Sequence, residues 1–480
     1  MQDYSKQKDQ EQYTILRREH WNKVADSQTI KHSAGKAYHK RLEKVYSTII
    51  APGSRVLEIG CGEGDLLNSL NPGYGVGIDF SEIMIQKARE KFGHLRFEVL
   101  DAHSVGDLNE SFDHIILSDL INDLWDVQKV LTEVSRLCSP STRIVLNIHS
   151  RLWQPVMSLA EKFHMAIPTL DQNWLTVTDL VSILHLSGFE TIKSWQEIIF
   201  PISLPFISPF MNKYLVKIWP WNIFALTNIL TARPEYVPNI DQHKVTVVVP
   251  ARNEEGNIAE IFNRLPGMGA ATELIFVEGN SSDQTYAAIE SEIPKHPSVD
   301  ARLIKQPGEG KGDAVRAGFD IATGDILMIL DADLTVLPED LPRFYEALAS
   351  RKGEFINGVR LVYPMEKEAM RFFNLLGNKF FSFAFSWLLG QPVKDTLCGT
   401  KVLWKKDYER IKAGRSYFGD FDPFGDFDLL FGASRLNLRI VDMPIRYHER
   451  KYGTTNISRW SHGWLLLKMV AFAARRLKFI

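Results

Sequence analysis

The sequence predicts an α/β protein of two domains, each a mostly parallel sheet with helices on both faces. Three observations carry that expectation. The chain has 480 residues, too many for a single core and comfortable for two of ordinary size. Two separate series of short apolar runs alternate with amphipathic stretches, the pattern of strands joined by covering helices. Between them a Pro- and Trp-rich segment, roughly Phe200 to Asn239, interrupts the alternation. The domains are therefore expected at 1–239 and 240–480, with the boundary near Asn239 to His243.

Hydrophobic residues make up 45%, aromatics 11% and charged residues 24%, globular values that exclude disorder and an all-membrane protein. A formal net charge of -2 exerts no global pull on nucleic acid, so none is expected as a partner. The three cysteines, Cys61, Cys138 and Cys398, lack the spacing of a zinc site or a disulfide framework, which fits a reducing cytosol. The polar stretch Met1 to Gln10 has no apolar core of a signal peptide, and export is not expected. Ile198 to Asn212 and Ile218 to Ala232 each run 15 residues without charge, and Phe380 to Val393 runs 14. All are short for a spanning helix, and Pro201, Pro205, Pro209 and Pro220 break the first pair. They read as buried, interfacial or hinge elements.

In the first series, between about Ser47 and Trp195, strands are expected at Arg55 to Ile59, Gly75 to Ile78, Leu95 to Leu100, His114 to Leu117 and Arg143 to Ile148. Val56-Leu57-Glu58-Ile59-Gly60-Cys61-Gly62-Glu63-Gly64 ends the first of them and precedes a helical stretch, Asp65 to Leu70. That is the context a glycine-rich nucleotide loop requires, although a tight turn packing a helix on a strand needs the same glycines. Asp79 ends the second strand, where a carboxylate can accept hydrogen bonds from both ribose hydroxyls. Asp101-Ala102 ends the third, at the height of an adenine edge. Three strand-terminal features in register point to a nucleotide-type cofactor. A dinucleotide dehydrogenase is the competing reading, but the loop lacks the spacing Gly-x-Gly-x-x-Gly.

On these residues, the segment from about Trp21 to Phe189 resembles a class I S-adenosylmethionine-dependent methyltransferase. Phe112-Asp113-His114-Ile115-Ile116-Leu117-Ser118 is similar to that family's fourth strand and its following turn. The resemblance implies that Glu58, Gly60 and Gly62 surround the methionine moiety, Asp79 the ribose, and Asp101 with Ala102 the adenine. It puts Ser118 and Leu120 near the sulfonium. His149 is a candidate to take a proton from an acceptor hydroxyl, or else a structural histidine. Asp119, Asn122 and Asp123 are comparable candidates for acceptor contacts.

The second series begins with Val245 to Pro250 and continues with Leu274 to Val277, Ala301 to Ile304, Ile326 to Leu330 and Phe355 to Val359. Asp331-Ala332-Asp333 ends the fourth strand. Carboxylates two apart at a strand end can reach one hard cation and the diphosphate that it bridges, although Asp-x-Asp alone is usually a solvated turn. Its neighbours add weight: Val249 to Glu255 with Pro250, Arg252 and Glu254, Phe276 to Asp283 with Glu278, and Gly310-Lys311-Gly312-Asp313-Ala314.

In this order the motifs resemble a family 2 glycosyltransferase of GT-A fold, over Val245 to roughly Gly453. The resemblance implies that Pro250, Arg252, Glu254, Glu278 and Asp283 contact the nucleotide and that Lys311 sits near its phosphates or base. It also implies that Asp331 and Asp333 hold Mg2+ or Mn2+. Glu278-Gly279-Asn280 replaces the more usual pair of aspartates and glycine, which leaves uridine and guanosine both open.

Later segments, Asn357-Gly358-Val359-Arg360, Arg371 to Gly390, Lys394 to Lys401, Asp426-Phe427-Asp428 and Pro444 to Gly453, look like the polyprenyl-phosphate branch of that family, which includes dolichol-phosphate mannosyltransferases. Arg360, Arg371 and Arg450 resemble its acceptor-phosphate contacts, as guanidinium forks suit a phosphate. If the acceptor is a sugar hydroxyl, Asp426 or Asp428 is the candidate base. Thr454-Thr455-Asn456 stands where a Ser-Lys pair is usual, so one lysine contact is missing. The aromatic run containing Phe372, Phe373, Phe380, Phe381, Phe383, Phe385 and Trp387, and the tail Trp464 to Ile480, read either as interfacial segments or as core or dimer helices.

The expectation is a bifunctional enzyme that uses S-adenosyl-L-methionine in its first half and Mg2+ or Mn2+ in its second. Its expected partners are a nucleotide-sugar donor, a polyprenyl phosphate and a membrane surface. Its expected place is the cytoplasm, peripheral at the inner face of the membrane. The rival reading is a glycosyltransferase for a soluble saccharide or metabolite, with the first half as an S-adenosylmethionine-binding regulatory module. Donor sugar, methyl acceptor and oligomeric state are left open.

Overall fold

The structure is a computed structural model, and it describes residues 2–26, 33–163, 169–235, 243–360, 372–415, 426–448, 450, 452 and 459–479. The chain divides into two compact units, Met1–Tyr236 with Phe479–Ile480, and Val237–Lys478.

In the first unit two helices, α1 (Gln2–Asp26) and α2 (Ser33–Ile49), precede β1 (Arg55–Ile59). There follow α3 (Asp65–Ser69), β2 (Tyr74–Asp79), α4 (Glu82–Lys91), β3 (Arg96–Val99) and β4 (Phe112–Leu117). The unit continues through α5 (Val127–Ser135), β5 (Cys138–His149), α6 (Gln154–Lys162), α7 (Val177–Leu186), β6 (Phe189–Glu197), α8 (Ile207–Lys213) and β7 (Thr227–Pro234). The sheet order is β3-β2-β1-β4-β5-β7-β6. All pairings are parallel except those of β7, which runs antiparallel to both β5 and β6. Both faces are covered, so adjacent strand residues enter different cores: Leu57 and Ile59 join one, Val56 the other.

β6 and β7 were not among the expected strands. The charge-free run Ile218 to Ala232 carries much of β7, and β7 is buried along nearly its whole length. A strand buried on both faces shows no alternation, and here proline and tryptophan precede it.

The second unit comprises β8 (Lys244–Ala251), α9 (Ile258–Arg264), β9 (Ala271–Glu278), α10 (Thr285–Glu292), β10 (Asp300–Lys305), α11 (Gly310–Ile321), β11 (Ile326–Ile329), α12 (Leu341–Ala349) and β12 (Phe355–Val359). It ends with α13 (Phe372–Leu389), β13 (Lys401–Trp404), α14 (Lys405–Ala413), α15 (Asp426–Arg435), β14 (Ile440–Pro444) and α16 (Arg459–Ala473). Its sheet order is β10-β9-β8-β11-β13-β12-β14, with β13 antiparallel to β11 and β12. Val245, Val247 and Val249 of β8 enter one core and Val248 the other.

β13 and β14, four and five residues, were not among the expected strands; β13 pairs antiparallel with β11 and β12, which local pattern does not announce. Part of the aromatic run proves to be core: Phe385 and Leu388 of α13 are buried against α15, where Phe385 stacks obliquely on Phe427. Among the described residues no helix is long and apolar enough to cross a membrane.

Candidate functional site

The strand order of the first sheet reverses between β1 and β4, and loops leaving two such neighbouring strands diverge to open a crevice. Register sets Ile59 of β1 beside Ile78 of β2, so the Gly60 and Cys61 amides donate to the Ile78 carbonyl at 2.8 and 3.0 Å. Gly60 and Gly62 have φ of 73° and 51°, a left-handed backbone that glycine adopts without strain. Asp79 closes the loop: one carboxylate oxygen accepts the Gly62 amide at 3.0 Å, the other the Ser81 amide at 2.9 Å. Glu58 accepts the Leu67 amide at 3.0 Å and ties β1 to α3. Burial, with Asp79 adding to it, pushes the Glu58 carboxyl up to about 8 against the pull of that hydrogen bond. Asp101 accepts the backbone amide and the ring Nδ1 of His103, at 2.8 and 2.7 Å. Ala102, Ser118 and Leu120 are partly exposed.

The acceptor-side candidates separate by partner. Asp123 is occupied in holding α1: Arg17 Nε and Trp21 Nε1 donate to its two oxygens at 2.8 and 2.9 Å. Asn122 is buried and accepts the His149 amide at 3.3 Å. Asp119, at a φ of 54°, accepts from Tyr38 Oη at 2.7 Å and from the Asn147 side-chain amide. His149 Nε2 lies 3.3 Å from Tyr38 Oη and 3.5 Å from Asp119, while its Nδ1 is buried without a hydrogen-bond partner among the described residues. Tyr38 and Asn147 escaped the sequence reading. Tyr38 sits on an amphipathic helix, where a buried aromatic is usually core, and Asn147 is one polar residue inside an apolar strand.

The second site is built on the loops after β8, β9 and β11 and on the start of α11. Asn253, at a φ of 58°, donates its amide to Ser281 Oγ at 3.0 Å and accepts the Ser282 amide at 2.8 Å, which binds the first two loops together. Glu278 accepts the Ser281 amide at 2.6 Å, and Asp283 accepts the Thr285 amide at 3.0 Å. Glu278 braces its own loop and Asp283 also accepts the Glu255 amide of the first loop at 3.4 Å, while Arg252 is exposed and Pro250 partly so.

Lys311, in the first turn of α11, pairs with Asp331 at 2.6 Å. Asp333 pairs with Arg450 at 2.5 Å and accepts from Thr335 Oγ1 at 2.7 Å; Glu254 lies 3.8 Å from Arg450. Five of the residues singled out in the sequence thus fall into two charged groups, Lys311 with Asp331, and Arg450 with Asp333 and Glu254. Burial alone would raise the Asp331 carboxyl, but the Lys311 ammonium, helped by Lys401 and Arg360, holds it below the usual carboxylate range. Burial pushes the Glu254 carboxyl up to about 7, Arg450 opposing it and Asp333 and Asp331 adding to it. The Gly399 backbone presses on the first pair: a Cβ there would stand 2.0 Å from the Asp331 carboxylate.

Arg360 and Arg450 pair with different carboxylates. Arg360 grips Asp395 with Nε and Nη2 at 2.7 and 2.9 Å, with Asp395 buried. Arg450 meets Asp333 and Glu254 instead, and Arg371 lies outside the described residues. Asp428 pairs with Arg415 at 3.2 Å. Of Asp426, Phe372 and Phe373 only the backbone is described, and Thr454-Thr455-Asn456 and Gly453 fall outside the described residues.

A family model described as a methyltransferase domain matches residues 50–197, and one described as glycosyl transferase family 2 matches residues 246–411. The chain joins a methyltransferase domain to a family 2 glycosyltransferase domain.

The glycosyltransferase domain is similar to a dolichol-phosphate mannosyltransferase of Pyrococcus furiosus, 33% identical over 28% of this chain and 38% of the relative. It is also similar to an undecaprenyl-phosphate 4-deoxy-4-formamido-L-arabinose transferase of an Enterobacter species, 32% identical over 21% of this chain and 32% of the relative. The chain thus spans about a third of the length of these curated relatives. The methyltransferase domain overlaps a solved magnesium protoporphyrin IX methyltransferase of Synechocystis, 16% identical, with a TM-score of 0.32 over 47% of this chain and 97% of that one.

The glycosyltransferase domain's residues fit a divalent cation that brings its own phosphate ligands. Among the described residues no group of three or more His, Cys, Asp or Glu side chains could hold a metal, so Asp331 and Asp333 offer two carboxylates and no closed cage. Mg2+ is commonly held by one or two carboxylates plus substrate phosphates. Lys311 and Arg450 supply the positive charge those carboxylates would otherwise seek. The methyltransferase domain's loop likewise fits a cofactor: a Cβ at Gly62 would meet nothing within 4 Å, so there is open space beside the amide that Asp79 holds.

Proposed function

We propose that the chain is a bifunctional enzyme. Its second half moves a sugar from a nucleotide-sugar to a polyprenyl phosphate or related glycan acceptor, with inversion. Its first half moves a methyl group from S-adenosyl-L-methionine to a second acceptor. The observation that carries the sugar-transfer proposal is the two charged groups at the strand ends, Lys311 with Asp331 and Arg450 with Asp333 and Glu254.

In the sugar-transfer reading, Asp331 and Asp333 would hold Mg2+ or Mn2+, which when bound supplies Lewis-acid stabilisation of the departing nucleoside diphosphate. Lys311 and Arg450, released from the aspartates, would turn to phosphate oxygens. Pro250, Arg252, Glu254, Glu278 and Asp283 line the nucleotide side. A phosphate-monoester acceptor has a second pKa of about 6, so it attacks without a strong base. Arg450 is then the acceptor-phosphate contact, and Arg360 a positioning residue held by Asp395. Arg371 stays a candidate from the sequence, as do Asp426 and Asp428 for a hydroxyl acceptor. That the matched relatives are named for polyprenyl phosphates supports a lipid-linked substrate.

In the methyl-transfer reading, Glu58, Gly60 and Gly62 flank the methionine part of the cofactor. Asp79 would exchange the Gly62 and Ser81 amides for ribose hydroxyls, and Asp101 with Ala102 meets the adenine. Ser118 and Leu120 lie on the sulfonium side. His149, beside Asp119 and Tyr38, would take the proton of an acceptor hydroxyl.

Incubation with radiolabelled nucleotide sugars, Mn2+ and polyprenyl phosphate tests the lipid claim. Label is expected in the organic phase. Label confined to a water-soluble product would point to a saccharide or metabolite acceptor, and no transfer from any sugar would sink the proposal. Methyl-labelled S-adenosylmethionine under the same conditions separates an active methyltransferase from a domain that binds the cofactor without turnover.

A further inference from the structure

Between Ile198 and Phe224 in the first unit, the only charged residues are Lys213 and Lys217, and there is no acidic residue. Lys217 is turned inward onto Glu197. Ile198, Ile199 and Val216 are buried beneath the segment, and most of its remaining large apolar side chains face outward. Phe206 is 90% exposed and Trp219 76%, and Phe210, Trp221, Ile223 and Phe224 are each at least half exposed. Soluble surfaces rarely carry so continuous an apolar run, and one that does marks an interaction site.

The backbone beneath is prepared to leave water. Asn212 accepts the Ile199 and Phe200 amides at 2.9 and 2.8 Å and donates to the Phe200 carbonyl at 2.7 Å. Ser208 Oγ accepts the Leu204 amide at 2.7 Å and donates to the Ile202 carbonyl at 2.5 Å. Pro201, Pro205, Pro209 and Pro220 have no amide to satisfy. Non-helical backbone tolerates a low dielectric only when its polar groups are paired internally in this way. Phe206 adopts a φ of 64°, a strained backbone for a phenylalanine, and the ring it presents is the most exposed of the set.

Charge selects the occupant. Lys213 and Arg41 lie close enough to Lys44 that, after its burial, they lower the affinity of that ammonium for its proton. The apolar surface is thus bordered by crowded cations. The segment itself holds aromatic and aliphatic side chains with lysines and no carboxylate, although Glu197 pairs with Arg41 and Glu43 adjoins Lys44 at its border; that surface complements the acyl and anionic headgroup layers of a bilayer.

We propose that residues 198–224 form an interfacial anchor that seats the methyltransferase unit on an anionic lipid bilayer, with Lys44 and Lys213 facing the headgroups. The segment is joined to the end of β5 by the Ser150 amide on the Leu226 carbonyl at 2.7 Å and by Trp153 Nε1 on the Phe224 carbonyl at 3.0 Å. Docking therefore brings the rim that carries His149 beside the lipid. The anchor requires neither a lipid acceptor for the sugar nor methyl transfer.

Co-sedimentation of the full chain with vesicles tests it, using phosphatidylcholine alone and phosphatidylcholine mixed with phosphatidylglycerol. The wild type is expected to bind the mixed vesicles. Phe206→Ser combined with Trp219→Ser should lower that partitioning by about tenfold or more, and Lys44→Gln with Lys213→Gln by severalfold on anionic vesicles only. All four side chains lie at the surface, so far-UV circular dichroism and the melting midpoint should stay those of wild type; Phe210→Ser with Phe224→Ser is the reserve pair. Absence of vesicle binding, or binding unchanged in the aromatic variants and lost on truncation at Trp464, overturns the proposal. So does a lipid-free dimer that the aromatic variants dissolve, because a second copy would then be the occupant.

Discussion

Asp331 and Asp333 stand two positions apart just beyond β11, yet each has a different cation: Lys311 for the first, Arg450 for the second. Replacing one carboxylate by an amide keeps the shape and removes the charge that both a metal and its neighbouring cation require. Asp331→Asn is expected to lower sugar transfer by roughly 10²–10³-fold with the melting profile of the second unit preserved, as measured by product radioactivity and calorimetry. Glu58 offers a prediction of another kind. Its folded carboxyl is raised to about 8 from an ordinary 4.5, so the native state holds a proton that the unfolded chain has released. Its stabilising contribution is complete below the unfolded value and is lost as pH rises toward 8. The first unit of the ligand-free wild type should therefore melt progressively lower between pH 5 and 8, relative to Glu58→Gln, which keeps an acceptor for the Leu67 amide. Parallel melting curves for the two proteins across that window would refute the assignment.

At the scale of elements, strand ends and the turns after them decide what the sites contain. β12 ends at Val359, and the next residue, Arg360, reaches the Asp395 carboxylate ahead of β13 with two side-chain donors and its own amide. That pair welds two segments that the sequence separates by 35 positions. Removing one member of such a buried pair leaves an uncompensated charge, so Arg360→Ala should cost the second unit about 3–5 kcal/mol in denaturant unfolding. A loss near zero would mean that the guanidinium is free to serve a ligand. In the first unit α1 plays a comparable role from the other end of the chain. Arg17 and Trp21 hold Asp123, and Asn22 accepts from Ser81 Oγ at 2.5 Å beside Asp79. A sequence reading sees in α1 a polar helix with no apolar stripe, and has no reason to seat it there.

At the scale of the molecule, each unit has its own sheet covered on both faces by its own core clusters. Fragments 1–236 and 243–480, made separately, are therefore each expected to unfold cooperatively, the first gaining stability with S-adenosylmethionine and the second with nucleotide and Mn2+, as read by thermal shift. A fragment that stays unfolded would show that its core is incomplete alone. Much of this architecture is legible in the amino-acid sequence. The runs at β8 and β11 are mostly Val, Ile and Leu, and β1, β4 and β9 carry apolar residues at half or more of their positions, the composition that a strand buried on both faces needs wherever it lies in the fold. The glycines of the first loop and the aspartates of the second stand at strand ends for equally local reasons. β7 and β13 are antiparallel insertions whose partners are distant in sequence, and no local pattern names them. Nor does local pattern distinguish Asp119, which Tyr38 and His149 approach, from Asp123, which α1 occupies, or Arg450 on Asp333 from Arg360 on Asp395. The sequence by itself determined the two cores, their class and the residue types at each strand end, because burial and backbone geometry act over a few neighbouring residues. Only the tertiary structure decided which charges meet and which aromatics remain outside, because those depend on segments brought together by folding.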